Sequence, residues 1–399
     1  MLLDRLEVYC NYFSQRKAGW FILGSVALLL GLGTVILSSA SLSFINSENY
    51  FSKQLLWCAI GVPFFFAGCL IDLKFLRKHH ALILAGAAAV LVAVLIPGIG
   101  KLVNGSRRWI SAGPLNMQVS EFAKIAAIIW MSGYLEKNSG HMDSVWNGFL
   151  TPLSISGVIC LLVLLEPDYG TAILIGAVAI TLLFLANAKI SHLAVAMAGG
   201  LALISALIYA NPSRMRRIVA FLDVEKNKSD GAYQLWQGML GFVSGGLFGH
   251  GIGQGRQQLT YLPEAHTDFI FPIFSEELGS LAAIAALSAY ALLFFVAAHC
   301  AKKIRSDFAK FISYGIALLI TYQVIINVGV VTGLLPTKGM VLPFISYGGS
   351  NLVSLFFAVG LLLNCFSSDL TANDKSDDTF DYVIPTEAGM CRRFNTRRK

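Results

Sequence analysis

Apolar runs about as long as the ~20-residue helix that crosses a bilayer recur ten times along this chain, near residues 21–39, 55–71, 81–99, 119–134, 150–165, 170–185, 193–209, 270–299, 311–334 and 341–363. With 56% hydrophobic and only 13% charged residues, the chain reads as an all-α integral membrane protein whose ten transmembrane helices leave both ends on one side. Its expected parts are a cytoplasmic N-terminal segment (1–18), a membrane domain (19–366) and a disordered cytoplasmic tail (367–399). The first run lacks a small-residue cleavage pattern and reads as an uncleaved span.

Orientation follows from Lys and Arg in the short loops, since long segments cross largely regardless of charge. One side carries Arg5, Arg16, Lys17, Lys74, Arg77, Lys78, Lys137, Lys189, Lys302, Lys303, Arg305 and Lys310, and the tail adds more. The other carries only Lys53, Lys101, Arg107, Arg108 and Lys338. Both termini are expected in the cytoplasm, and the long region 211–268, between helices 7 and 8, outside the cell membrane. The net charge of +7 reflects this bias, and no basic stripe interleaved with stacking aromatics argues for a nucleic-acid partner. Seven cysteines lie in spans or on the inner side without metal-type spacing, so neither a disulfide nor a zinc site is expected.

Two outer segments are too rich for idle connections. "GIGKLVNGSRRWISAGPLN" (98–116) keeps Lys101, Arg107 and Arg108 where positive charge is disfavoured. Region 211–268 opens with "SRMRRIVAFLD", and within it Tyr233, Trp236, Leu240, Val243 and Leu247 recur at helical spacing opposite Gln234, Gln237, Gly241 and Ser244. That pattern predicts an interfacial helix. The following "GGLFGHGIGQGR" follows no strand, so a dinucleotide loop is a poor reading.

Ionisable residues at membrane depth mark candidate sites. Glu121 and Lys124 share a helix face, as a structural ion pair or as the rim of a polar cavity where Lys124 meets an anionic head group. Glu166 and Asp168 precede the sixth span, where Asp168 suits a helix N-cap. Glu264, His266 and Asp268 precede the eighth span, with Glu276 and Glu277 about two turns inside it. Asp268 is a candidate general base, a cap, or a ligand for a divalent cation such as Mg or Mn, and His266 a substrate contact or an interfacial histidine. "LLPTKGMVLPFISYGGSN" (334–351) carries Lys338 through a glycine- and proline-broken connection.

Four stretches together resemble the SEDS (shape, elongation, division and sporulation) family of bacterial cell-wall glycosyltransferases: "GSRRWISAGPLNMQVSEFAK", "EPDYGTA", "YQLWQGMLGFVSGGLFGHGIGQG" running into "YLPEAHTDFIF", and "NVGVVTGLLPTKGMVLPFISYGGSN". The likeness spans about 22–363 and is closer to the division branch than to the elongation branch. It implies polymerisation of lipid II at the outer face of the cytoplasmic (inner) membrane, for the division septum, with Asp268 as catalytic residue and Arg108, Glu121 and Lys124 as functional residues. Implied partners are a class B penicillin-binding protein transpeptidase, other divisome proteins and membrane lipids. Val119, Pro272, Ser275 and Asn351 depart from the family's usual residues.

Chemically, a carboxylate at 268 would deprotonate the attacking sugar hydroxyl while Arg107, Arg108, Lys124 and Lys338, or a divalent metal, balance the departing pyrophosphate. A transporter flipping lipid-linked precursors, or a scaffold for division proteins, fits ten helices and buried carboxylates equally well on physics alone.

Overall fold

The computed structural model describes residues 18–43, 50–103, 106–112, 115–255 and 266–377. The N-terminal segment, Glu264 and the tail beyond 377 lie outside them. Twelve main helices are seen among the described residues: α1 (Ala18–Ser43), α2 (Tyr50–Leu70), α3 (Leu73–Leu95), α4 (Val119–Lys137), α5 (Thr151–Leu165), α6 (Tyr169–Leu185), α7 (Ile190–Tyr209), α8 (Pro212–Leu222), α9 (Tyr233–Gly245), α10 (Ile270–Lys303), α11 (Asp307–Val331) and α12 (Gly349–Asp377). Among the described residues, eight helices are long and apolar enough to cross a membrane. Of the remaining expected spans, α6 is apolar but has only 17 residues, and α4, at 19, is interrupted by Glu121 and Lys124.

The expectation of an all-α chain is corrected by a three-stranded antiparallel sheet, β1 (Gly100–Val103), β2 (Ser106–Ala112) and β3 (Leu115–Gln118). Val103 pairs with Ser106 and Ala112 with Leu115, so each link has two residues. Asn104-Gly105 is a strong two-residue hairpin signal, hidden in the sequence by strands too short to show alternation. The sheet docks on the start of α12, where the Gln118 N–H donates to Ser350 Oγ (2.9 Å) and that hydroxyl donates to the Asn116 carbonyl (3.2 Å). α12 continues as helix to Asp377, past position 367 where the polar tail was expected to begin.

Two apolar cores share α11. One gathers α1, α2, α10, α11 and α12, and the other α3, α4, α5, α6 and α11. Without a hydrophobic drive between helices in lipid, close packing must hold them, and small residues permit it. Gly68 of α2 abuts the backbone of Phe357 and Leu361, and Gly360 of α12 abuts the backbone of Phe65.

The predicted interfacial helix is α9, with Leu240, Val243 and Leu247 exposed on one side. Its small face packs on α10, Gly238 against Phe269 and Pro272. There α10 breaks at Gly279 (φ 85°). The glycine-rich segment after α9 supplies the hydrogen bonds that the break removes: His250 N–H donates to the Glu276 carbonyl (3.0 Å), Gly251 N–H to that of Glu277 (2.9 Å), and Ser280 N–H to that of Gly246 (3.0 Å). Left-handed Gly246, Gly249, Gly251 and Gly253 make the wrap possible.

Candidate functional site

At one end of the bundle, five separate stretches converge: β2, the turn between α5 and α6, the start of α8, the turn 266–269 and the loop between α11 and α12. Asp268 lies in the turn that leads into α10. Asn327, buried in α11, donates from Nδ2 to the carbonyls of Asp268 (2.9 Å) and Met340 (2.6 Å), stitching that turn to the α11–α12 loop. A second stitch runs from Tyr347 N–H to the His266 carbonyl (2.9 Å), while the His266 ring stacks on Tyr50 at 4.0 Å. Oδ2 of Asp268 lies against Gly339, 2.8 Å from where a β-carbon would sit. A side chain at 339 would push the carboxylate from this position, one residue from Lys338.

The Lys338 side chain extends across Gly170, whose β-carbon position is 2.7 Å from Lys338 Cε and 3.3 Å from Asp168 Oδ1. Burial lowers the Lys338 ammonium to about 8; Asp168 opposes the shift and Arg214 adds to it. Asp168 caps α6 as expected, accepting from Thr171 N–H (3.1 Å) and Thr171 Oγ1 (2.8 Å), and also from Gln118 Nε2 (3.1 Å).

Glu166 is fully buried and neither carboxyl oxygen has a hydrogen-bond partner among the described residues. Burial first, and then the Asp168 carboxylate, raise it to about 8 against the opposing pull of Arg108. Arg108 Nε is itself buried and has no hydrogen-bond partner among the described residues. Arg108 falls at a register shift of β2, where Arg107 pairs with Leu102 and Trp109 with Lys101, so strand alternation does not separate the two arginines. Arg108 is the one whose charge acts on Glu166.

Glu121 and Lys124 form a buried ion pair (2.8 Å) in which Asn351 Nδ2 also donates to Glu121 Oε2 (2.7 Å). Lys124 is buried, with 3% of its side chain exposed, and the pair joins α4 to α12. Glu276 and Glu277 are enclosed by the α9–α10 wrap, where Ser39 Oγ and Gly253 N–H donate to Glu277 Oε1 at 2.7 and 3.2 Å.

Arg214 was not singled out from sequence. It stands on the first turn of α8, donates from Nη2 to the Pro167 carbonyl (3.1 Å) and lies 3.4 Å over the Tyr169 ring. The signal for it was its positive charge in a segment expected outside, set aside because long loops carry no topological weight. Asn327 gave no signal, being one amide inside an apolar span.

Among the described residues no three His, Cys, Asp or Glu side chains converge as a metal site. Asp268 has glycine and a lysine-bearing loop beside it, a poor fit for a resident divalent cation, which needs several oxygens.

A family model described as "Cell cycle protein" (FtsW, RodA, SpoVE) matches residues 20–369. A relative from Saccharophagus degradans, named probable peptidoglycan glycosyltransferase FtsW, is 37% identical over 380 residues, covering 93% of this chain and 97% of its own. One of the same name from Francisella salina is 39% identical, covering 87% and 90%. Among solved structures, the rod shape determining protein RodA of Thermus thermophilus superposes with a TM-score of 0.67 at 25% identity, covering 88% of this chain and 97% of its own. A chain from a peptidoglycan synthase complex reaches 0.73 at 24% identity, covering 88% and 98%. The chain belongs to the FtsW/RodA/SpoVE family of cell cycle proteins, the SEDS family that its motifs resemble.

Proposed function

We propose that this protein is a peptidoglycan glycosyltransferase that polymerises lipid II at the outer face of the inner membrane, in septal wall synthesis. The observation that carries this reading is the Asp268 carboxylate lying against Gly339, next to Lys338, in a cluster that also holds Arg108. The relatives named FtsW support the division role.

The acceptor's 4-hydroxyl attacks the donor's anomeric carbon as its proton passes to Asp268. The bond from that carbon to the pyrophosphate oxygen breaks, its electron pair leaves with the lipid pyrophosphate, and configuration inverts. Asp268 then returns the proton to water. No step runs through a metal. Lys338 and Arg108 offset the charge that develops on the leaving group, where preorganised cations act most strongly. His266, held against Tyr50, shapes the wall of the acceptor side.

In this reading ten helices cross the membrane, α4 and α6 included, both termini are cytoplasmic, and the polar cluster faces outward. A class B penicillin-binding protein supplies crosslinking, in keeping with the fold's likeness to a chain of a synthase complex that coordinates polymerization and crosslinking. Purified protein given lipid II in detergent should yield glycan ladders on a gel, and Asp268→Asn should abolish them. Ladders from Asp268→Asn at the normal rate would remove the base role; none from the wild type would favour a transporter or scaffold.

A further inference from the structure

Arg214 has the marks of a residue held ready for an anion. Asn211 caps α8, accepting from Ser213 N–H (3.2 Å), and Pro212 opens its first turn, so the arginine's backbone is fixed. The Tyr169 ring beneath the guanidinium and the Pro167 carbonyl at one end fix the side chain. A guanidinium offers five N–H donors, and among the described residues Arg214 spends one of them in a hydrogen bond, with no carboxylate in ion-pair contact.

Its nearest acid, Asp168, is already committed to Thr171 and Gln118. Burial lowers Arg214, and its neighbour Arg217 lowers it further against the pull of Asp168 and Tyr169. Lys338 is close enough that Arg214 depresses it too. Glu166, raised to about 8, is largely protonated at neutral pH and cancels little of this charge. Three cations, Arg108, Arg214 and Lys338, thus stand against two carboxylates, Asp168 and, beside Gly339, Asp268. Cations crowded in this way, with N–H groups to spare, are relieved by a polyanion.

We propose that Arg214 is a diphosphate-binding residue, which together with Arg108 and Lys338 cradles the pyrophosphate of a lipid-linked sugar. This rests on the glycosyltransferase reading for the identity of the substrate, but the anion site stands on its own geometry. The guanidinium binds the two phosphates bidentately, and the turn 166–168 couples its position to Asp168 and so to Lys338.

The test is titration calorimetry of the purified full chain in detergent with inorganic pyrophosphate, for the wild type, Arg214→Gln and Arg214→Lys. Arg214→Gln removes the charge and the stacking on Tyr169, whereas Arg214→Lys keeps the charge, and the thermal midpoint reports whether the fold survives either change. Arg214→Gln is expected to weaken pyrophosphate binding about tenfold or more with an unchanged thermal midpoint, and Arg214→Lys to keep part of the affinity. In lipid II polymerisation the glutamine variant should raise KM more than it lowers kcat. Binding by Arg214→Gln equal to the wild type overturns the proposal, as does a wild type that binds no pyrophosphate. Ladders from the wild type with Arg214-independent binding remove Arg214 and leave the polymerase. Arg214-dependent binding without ladders keeps the anion site and removes the polymerase.

Discussion

Lys338 keeps a positive charge in surroundings that work against it. With the ammonium lowered to about 8, roughly nine in ten side chains are charged at pH 7. Raising the pH through about 8 removes that proton and, over the same range, ionises Glu166. Both changes subtract positive charge from the group formed with Arg108, Asp168 and Arg214. Polymerisation should therefore fall as pH rises through about 8, and Lys338→Arg, charged throughout, should carry the falling limb to higher pH in a rate profile. Because Glu166 titrates over the same range, the comparison belongs in a Glu166→Gln background, where a limb that stays put would take Lys338 out of the reaction. At this scale the sequence shows charged groups in unfavourable places, which is why Asp268, Arg108 and Lys338 stand out. It cannot show partners: Gly339 is 71 positions from Asp268, and the room it leaves for that carboxylate matters only when the two stretches meet.

Between elements, the Glu121–Lys124 pair decides how α4 meets α12. Removing one partner of a buried pair leaves an uncompensated charge and costs about 3–5 kcal/mol. Lys124→Met should accordingly lower the thermal midpoint in detergent and abolish polymerisation. Adding Glu121→Gln, which keeps an acceptor for Asn351, should recover most of both. A double variant that folds as stably as the wild type yet makes no glycan would return Lys124 to the substrate site. Helices such as α9 are legible because the 3.6-residue rhythm writes one apolar face, and Leu240, Val243 and Leu247 do turn outward. The small sheet was not, since strands of four and seven residues set by two-residue turns leave no run long enough to read. Likewise, the glycines after α9 have no local meaning; they become necessary only around the break at Gly279.

For the whole molecule, the orientation proposed from loop charge is directly checkable. In a cysteine-free background, Ser229→Cys, exposed between α8 and α9, should react with a membrane-impermeant maleimide added to spheroplasts, and Lys303→Cys, at the end of α10, only after lysis. The reverse pattern would turn the cluster toward the cytoplasm and overturn the reading of polymerisation at the outer face. Eight of the ten expected spans appear among the described residues as helices long and apolar enough to cross a membrane, and hydropathy alone located them. Which of them touch it could not show, because α1 and α2 share their core with α10 to α12. That arrangement has a consequence for biogenesis. The glycine face of α2 is complete once Leu70 has left the ribosome, yet its mate α12 begins only at Gly349, a delay on the order of 15 to 60 s at ordinary rates of translation. During that interval Gly61 and Gly68 meet acyl chains or an insertion chaperone, and the newborn protein is most open to mispairing and proteolysis before its last helix arrives.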